Sequence, residues 1–227
     1  MHNKKQTLTC VFAVIVACIL MAVVDGIWQP VYAVKSAIKI VLFLALPFIC
    51  GKLSGEQNLT SLFKANSKGI KFALLLGIPV YILILGGYLL LKDVFDFSSI
   101  TGALTGNVGI NRENFVFVAI YISFINSLLE EFFFRGFAFL TLKKTATRKF
   151  AYIFSSIVFA LYHVAIMTGW FSVGLYILII AGLIIAGLIF NFLNEKYDNI
   201  YVSWFVHMFA NFAINTVGFL LFGIISV

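Results

Sequence analysis

The sequence predicts an all-α, polytopic membrane helical bundle of about seven transmembrane helices, forming a single integral-membrane domain over residues 1–227. Three observations predict it. Hydrophobic residues make up 62% of the chain and charged residues 11%, where a soluble domain carries roughly 25% charge. The apolar residues gather into seven segments, near 7–24, 34–50, 72–91, 115–140, 150–167, 171–192 and 200–225, each close to the roughly 20 residues that cross hydrocarbon. The basic residues fall in short loops between those segments, more heavily in every second loop.

The elements follow in order. The first segment comes after Lys4 and Lys5, an arrangement that also resembles a secretory signal peptide. The small residues that would mark cleavage, Ala33, Ser36 and Ala37, lie past Asp25 and Pro30, so an uncleaved span is expected. The second segment is short and opens with Lys35 and Lys39, whose long stems are expected to snorkel to the interface. The third ends at the polar stretch 92–114, read as an extracytoplasmic loop or a half-inserted cap; neither it nor 51–71 forms a second domain. In the sixth, the small residues of the run 181–187 predict close helix packing. The seventh is long enough to tilt or kink. Splitting it would create an eighth span, and one helix is the expectation.

The loops orient the bundle. One set carries Lys4 and Lys5, then Lys52, Lys64, Lys68 and Lys71 against Glu56, then Lys143, Lys144, Arg148 and Lys149, then Lys196. This set is expected in the cytoplasm, with the amino terminus inside and the carboxyl terminus outside. The net charge of +7 is spread among these loops, so no nucleic-acid partner is expected. Cys10, Cys18 and Cys50 lie in apolar runs without metal spacing and read as small core residues.

Three polar constellations interrupt the apolar helices. Glu130, Glu131 and Arg135 are the only charges between Phe115 and Leu140. An ionised carboxylate at that depth costs on the order of 2.5–3.5 kcal/mol, so such groups are paired, face a wet cavity or do chemistry. Glu131 and Arg135 are four apart and share a face, which makes them natural partners. Glu130 is rotated by about 100° and is left free to face another helix. Phe159 and His163 are four apart on the fifth segment; His207 and Asn211 are four apart on the seventh. The remaining histidine is His2, in the tail.

At about 1.5 Å per residue, Glu130 lies roughly 15 Å from the cytoplasmic end of its segment, His163 about 20 Å, His207 about 10 Å and Asn211 about 16 Å. Singly, a membrane histidine or asparagine is ordinarily helix-to-helix glue, and Phe159 is ordinarily core. Together at one depth they offer a carboxylate and an imidazole to share a water, and a second imidazole and an amide to donate to an oxyanion. Asn126, one turn before Glu130, is a candidate to orient it.

Glu130-Glu131-Phe132-Phe133-Phe134-Arg135 resembles the EExxxR motif of the CPBP intramembrane proteases, also called the CAAX protease and bacteriocin-processing (Abi) family. Phe159 to His163 is similar to its FxxxH motif, and His207 to Asn211 to its HxxxN motif. The resemblance covers a catalytic core of about 115–215; the first three spans match only in being apolar. It implies that Glu130 and His163 activate water, that Glu131 and Arg135 support the site, with Phe159 of the second motif as a further supporting residue, and that His207 and Asn211 form the oxyanion hole. It implies a glutamate-type site with no cofactor. The alternative cofactor is zinc, for which Glu130, His163 and His207 would supply three ligands.

The function expected is hydrolysis of a peptide bond in a membrane-associated or small peptide, including a lipid-anchored one, in a bacterial plasma membrane. Membrane lipid is the other expected partner; the sequence specifies no oligomeric state. The alternative is a non-catalytic immunity or peptide-binding protein using the same polar cavity. A proton- or cation-coupled transporter ranks third, because Pro30, Pro47 and Pro79 all lie away from the polar groups.

Overall fold

The computed structural model describes residues 4–54, 59–63, 67–167 and 169–226. Among these, every regular element is helical. Seven helices are long and apolar enough to span a membrane: α1 (Lys4–Trp28), α2 (Tyr32–Leu53), α3 (Gly69–Leu91), α5 (Phe115–Thr145), α6 (Arg148–Ile166), α7 (Val173–Tyr197) and α8 (Tyr201–Leu221). The short helix α4 (Ser98–Val108) lies between α3 and α5. The chain is an integral membrane protein. Its surface carries exposed Phe12, Leu75, Leu83, Leu90, Phe117 and Ile177, apolar area that suits lipid and not water. His2, Glu56 and Lys64 lie outside the described residues.

The seventh apolar segment is one helix, ending at Leu221. The stretch 92–114 contributes a cap: Leu104 of α4 packs with Ile110, Phe115, Phe219 and Phe222 over one end of the bundle. No disulfide joins Cys10, Cys18 and Cys50.

The loops expected to be cytoplasmic share one end. Thr7 of α1 donates to the Thr145 carbonyl at 3.0 Å. Arg148 and Lys143 both pair with Glu195, at 2.8 and 3.2 Å. The Ile200 N–H meets the Leu62 carbonyl at 3.4 Å. The helix starts and ends that carry the basic residues are thereby tied together.

Helix α5 is central, in contact with α1, α2, α6, α7 and α8. Its segment Glu131–Phe139 is buried at every residue and wound as a π-helix; the partly exposed segment Ile122–Asn126 above it is wound the same way. Such widened turns are rare and concentrate at functional sites. Neighbouring helices donate side-chain hydrogen bonds to carbonyls within these turns. Asn211 reaches Ile122 at 3.2 Å, Trp204 reaches Phe124 at 3.1 Å and Ser155 reaches Phe134 at 2.9 Å. In hydrocarbon, where water offers no substitute, those bonds hold the irregular backbone in place. An aromatic cluster fills the space on the α2 side, with Phe43 stacked on Phe133 at 4.1 Å.

Close packing in the run 181–187 resolves onto one residue. A Cβ on Gly187 would lie 2.9 Å from the Ser156 Cα of α6, whereas Gly182 faces open space.

Candidate active site

Six of the seven site residues expected from the sequence converge on one buried centre between α5, α6 and α8; the seventh, Asn211, lies one turn beyond His207 and donates to the Ile122 carbonyl, two turns before Glu130 on α5. Their local placement follows from helical spacing. On α8, Trp204, His207, Asn211 and Asn215 form one stripe against α5, and Asn215 donates to the Ala119 carbonyl at 3.1 Å. On α6, the Nδ1 of His163 bonds the Phe159 carbonyl one turn back, at 2.8 Å. A carbonyl only accepts, so Nδ1 carries the hydrogen and Nε2 of the neutral ring carries the lone pair.

The two acids do different work. Glu131 is wholly buried, 3.3 Å from the Nη1 of equally buried Arg135. It also lies 2.9 Å from the Nδ1 of His207. The guanidinium is stacked between two rings, 4.0 Å from the Phe159 centroid and 4.9 Å from that of Phe190. Phe159 therefore supports the site as a cation–π platform and touches both histidines, at centroid separations of 4.7 and 6.1 Å.

Glu130 points toward α6 and α8. Its Oε2 lies 3.8 Å from the Nε2 of His163 and 3.7 Å from the Nε2 of His207. Both imidazoles thus turn the same nitrogen to one carboxylate oxygen. Of the three, His163 is the most open, with 18% of its side chain exposed.

Two features depart from the sequence reading. Lys39 does not snorkel; it is 4% exposed, and its Nζ lies 2.6 Å from the Oε1 of Glu130. Glu130 consequently faces other helices but has a cation of its own. The reason is tertiary. The polar residues Tyr32, Lys35, Ser36 and Lys39 recur at helical spacing, and that face of α2 turns inward onto α1 and α5. Lys35 there pairs with buried Asp25. Asn126 also belongs to the site, donating to Glu130 Oε1 at 3.0 Å.

Among the described residues, no group of three His, Cys, Asp or Glu side chains has the arrangement of a metal site. The donor set itself bears on zinc: the carboxylate it would use already holds an ammonium, and a dication beside that fixed charge would be repelled.

Fold and centre together define an integral membrane protein with a carboxylate–imidazole site inside its helical bundle. Residues 112–213 match the family of Rce1-like type II CAAX prenyl endopeptidases, the family that the three motifs resemble. The match starts just before α5, ends within α8 and includes every residue of the three motifs. At the level of that family the activity is peptide-bond hydrolysis in the membrane. Helices α1 to α3, with Lys39, lie outside the match. No curated protein and no solved structure gives a significant match.

Proposed function

We propose that the chain is an intramembrane endopeptidase in which Glu130 and His163 activate a water to hydrolyse a peptide bond. Its substrate is a membrane-associated or small peptide, including a lipid-anchored one. The observation that carries this reading is the pairing of Glu130 Oε2 with the Nε2 lone pair of His163 across 3.8 Å. That gap fits two groups sharing one water, since each hydrogen bond to it spans about 2.6–3.2 Å and the three atoms need not be collinear.

The water gives its proton to Glu130 as its oxygen attacks the peptide carbonyl, orienting by a second hydrogen bond to His163. The negative charge that develops on the carbonyl oxygen needs preorganised donors. Asn211 spends one amide N–H on the Ile122 carbonyl; the second is the donor assigned here. His207 faces Glu131 through Nδ1 and turns Nε2 toward Glu130, so it donates to the oxyanion through Nε2 only as the doubly protonated ring. Collapse of the intermediate breaks the C–N bond, and the proton held on Glu130 passes to the leaving amine. Arg135 and Phe159 hold Glu131 and the two rings in register.

No metal enters this scheme, because Lys39 already occupies the cation position beside Glu130. Dialysis of the purified protein against a strong chelator is expected to leave activity unchanged. Loss of activity that zinc restores would overturn the metal-free scheme and make Glu130, His163 and His207 the ligands. The activity itself is tested by comparing peptides released from membranes that contain wild type or Glu130→Gln. Peptides released by the wild type alone support the reading; identical sets would favour a peptide-binding protein.

A further inference from the structure

The lysine that the family-matched segment does not contain has the closest polar contacts in the centre. Lys39 Nζ donates to Glu130 Oε1 at 2.6 Å and to Asn126 Oδ1 at 2.5 Å. The Asn126 amide in turn donates to the same Oε1 at 3.0 Å. Lysine, amide and carboxylate close a three-membered ring of hydrogen bonds, and each fixes the other two. The ammonium also sits over the Tyr162 and Phe43 rings, at 5.0 and 5.3 Å. Four groups from three helices thus hold one charge that hydropathy alone would send to the interface.

The consequence for Glu130 is an asymmetry between its oxygens. Oε1 takes both hydrogen bonds of the ring. Oε2 takes neither and faces the two imidazoles. The charges balance in the same way, acid by acid: Glu130 has Lys39, Glu131 has Arg135 and Asp25 has Lys35. With each carboxylate already matched, neither histidine is needed as a counter-ion at rest. His163 can remain neutral, which its role as acceptor of a water hydrogen bond requires.

We infer that Lys39 is a positioning residue for hydrolysis: with Asn126 it anchors Glu130 by one oxygen, so that the other is presented to the water as an ionised base. The inference rests on the hydrolytic reading of Glu130. It gives the α1–α3 half of the chain a part in the chemistry, since the charge partner of the base comes from α2. Removal of the ammonium leaves one excess negative charge in the centre. The site would then take up a further proton, on Glu130 or on a histidine, and either destroys the base pair. The groups facing Glu130 that share in this balance are Tyr32 and Lys39 from α2, Tyr162 and His163 from α6, His207 from α8, and Tyr121, Glu131 and Arg135 from α5 itself; Asp25 of α1 is neutralised by Lys35.

The test uses the full chain, purified and returned to lipid vesicles, with a peptide that the wild type cleaves. Lys39→Met is expected to lower kcat about 100-fold with KM nearly unchanged, the cost of a base misplaced by about 1 Å. The acid limb of its pH–rate profile is expected to move to higher pH. Lys39→Arg, which keeps the charge, is expected to recover most of the lost kcat. A separate readout is thermal unfolding of Lys39→Met, Glu130→Gln and the double variant. Each single change leaves one buried charge without its counter-charge, so the double variant should be more stable than additivity predicts. Wild-type kcat and pH profile in Lys39→Met, with Glu130→Gln inactive, would overturn this inference and leave the proposed function standing. Additive losses of stability would also overturn it. Full activity in Glu130→Gln would overturn the hydrolytic reading itself. If Lys39→Met does not fold, Lys39→Gln carries the same kinetic test.

Discussion

Arg135→Met isolates the support of the site from its chemistry. The guanidinium is fully buried, with Glu131 3.3 Å away and the Phe159 and Phe190 rings 4.0 and 4.9 Å from its Cζ. Methionine fills much of the volume but removes the charge. Glu131 is then left buried with His207 alone. Breaking a buried pair from one side costs about 3–5 kcal/mol, and the lost stacking on two desolvated rings contributes to the same figure. For a chain of this size, about 2–4 °C of Tm per kcal/mol gives a fall of roughly 6–20 °C. Arg135→Lys should fall between, because an ammonium keeps the charge but not the planar stack. Arg135→Met with Glu131→Gln removes both charges and should regain most of the loss. Thermal unfolding in detergent, followed by intrinsic fluorescence, measures all four proteins. A Tm for Arg135→Met within about 2 °C of wild type, or a double variant less stable than Arg135→Met, would refute this account of the pair.

Three further outcomes follow from the geometry. Asn211→Ala removes one oxyanion donor and should lower turnover about 100- to 1000-fold with little change in KM; a change confined to KM would assign it to substrate binding. Gly187→Ala, with its Cβ 2.9 Å from the Ser156 backbone, should cost about 1–3 kcal/mol of stability as an overpacked contact. Gly182→Ala in the same helix meets nothing and should cost none, and equal effects in unfolding scans would contradict the α6–α7 packing. Lys144→Cys is exposed at the basic end; a membrane-impermeant thiol reagent should label it from the cytoplasmic side alone, and external labelling would invert the orientation.

The spans and the three constellations were legible because both are periodic. Apolar runs near 20 residues can only be satisfied by helices in lipid, and residues four apart must share a face. Spacing does not say which helices become neighbours, and the misreadings lie there. Lys39 has the same hydropathy whether it reaches the interface or pairs with a carboxylate; only the packing of α2 against α5 decides. Glu130 looked unpaired because its cation lies 91 residues away. Phe159 reads as core when taken singly and as a supporting residue only through its spacing to His163; its place as the platform under Arg135 needs the register of α6 against α5. Ideal 3.6-residue turns also misjudge α5, which contains the π-helical stretches Ile122–Asn126 and Glu131–Phe139. The span ends at Thr145 and not at 140, because Thr145 and Lys143 find partners in Thr7 and Glu195.

The central claim is that Glu130 activates water for peptide hydrolysis inside the membrane. Its most direct measurement is turnover of a peptide by purified protein in vesicles, wild type against Glu130→Gln, with the folded fraction of each measured on the same sample. Glutamine keeps an oxygen for Lys39 and Asn126 but cannot take the proton from water. The account predicts a loss of about 100- to 10,000-fold in kcat, the range of general-base catalysis, at an undiminished folded fraction. Turnover within tenfold of wild type from an equally folded Glu130→Gln sample would contradict it.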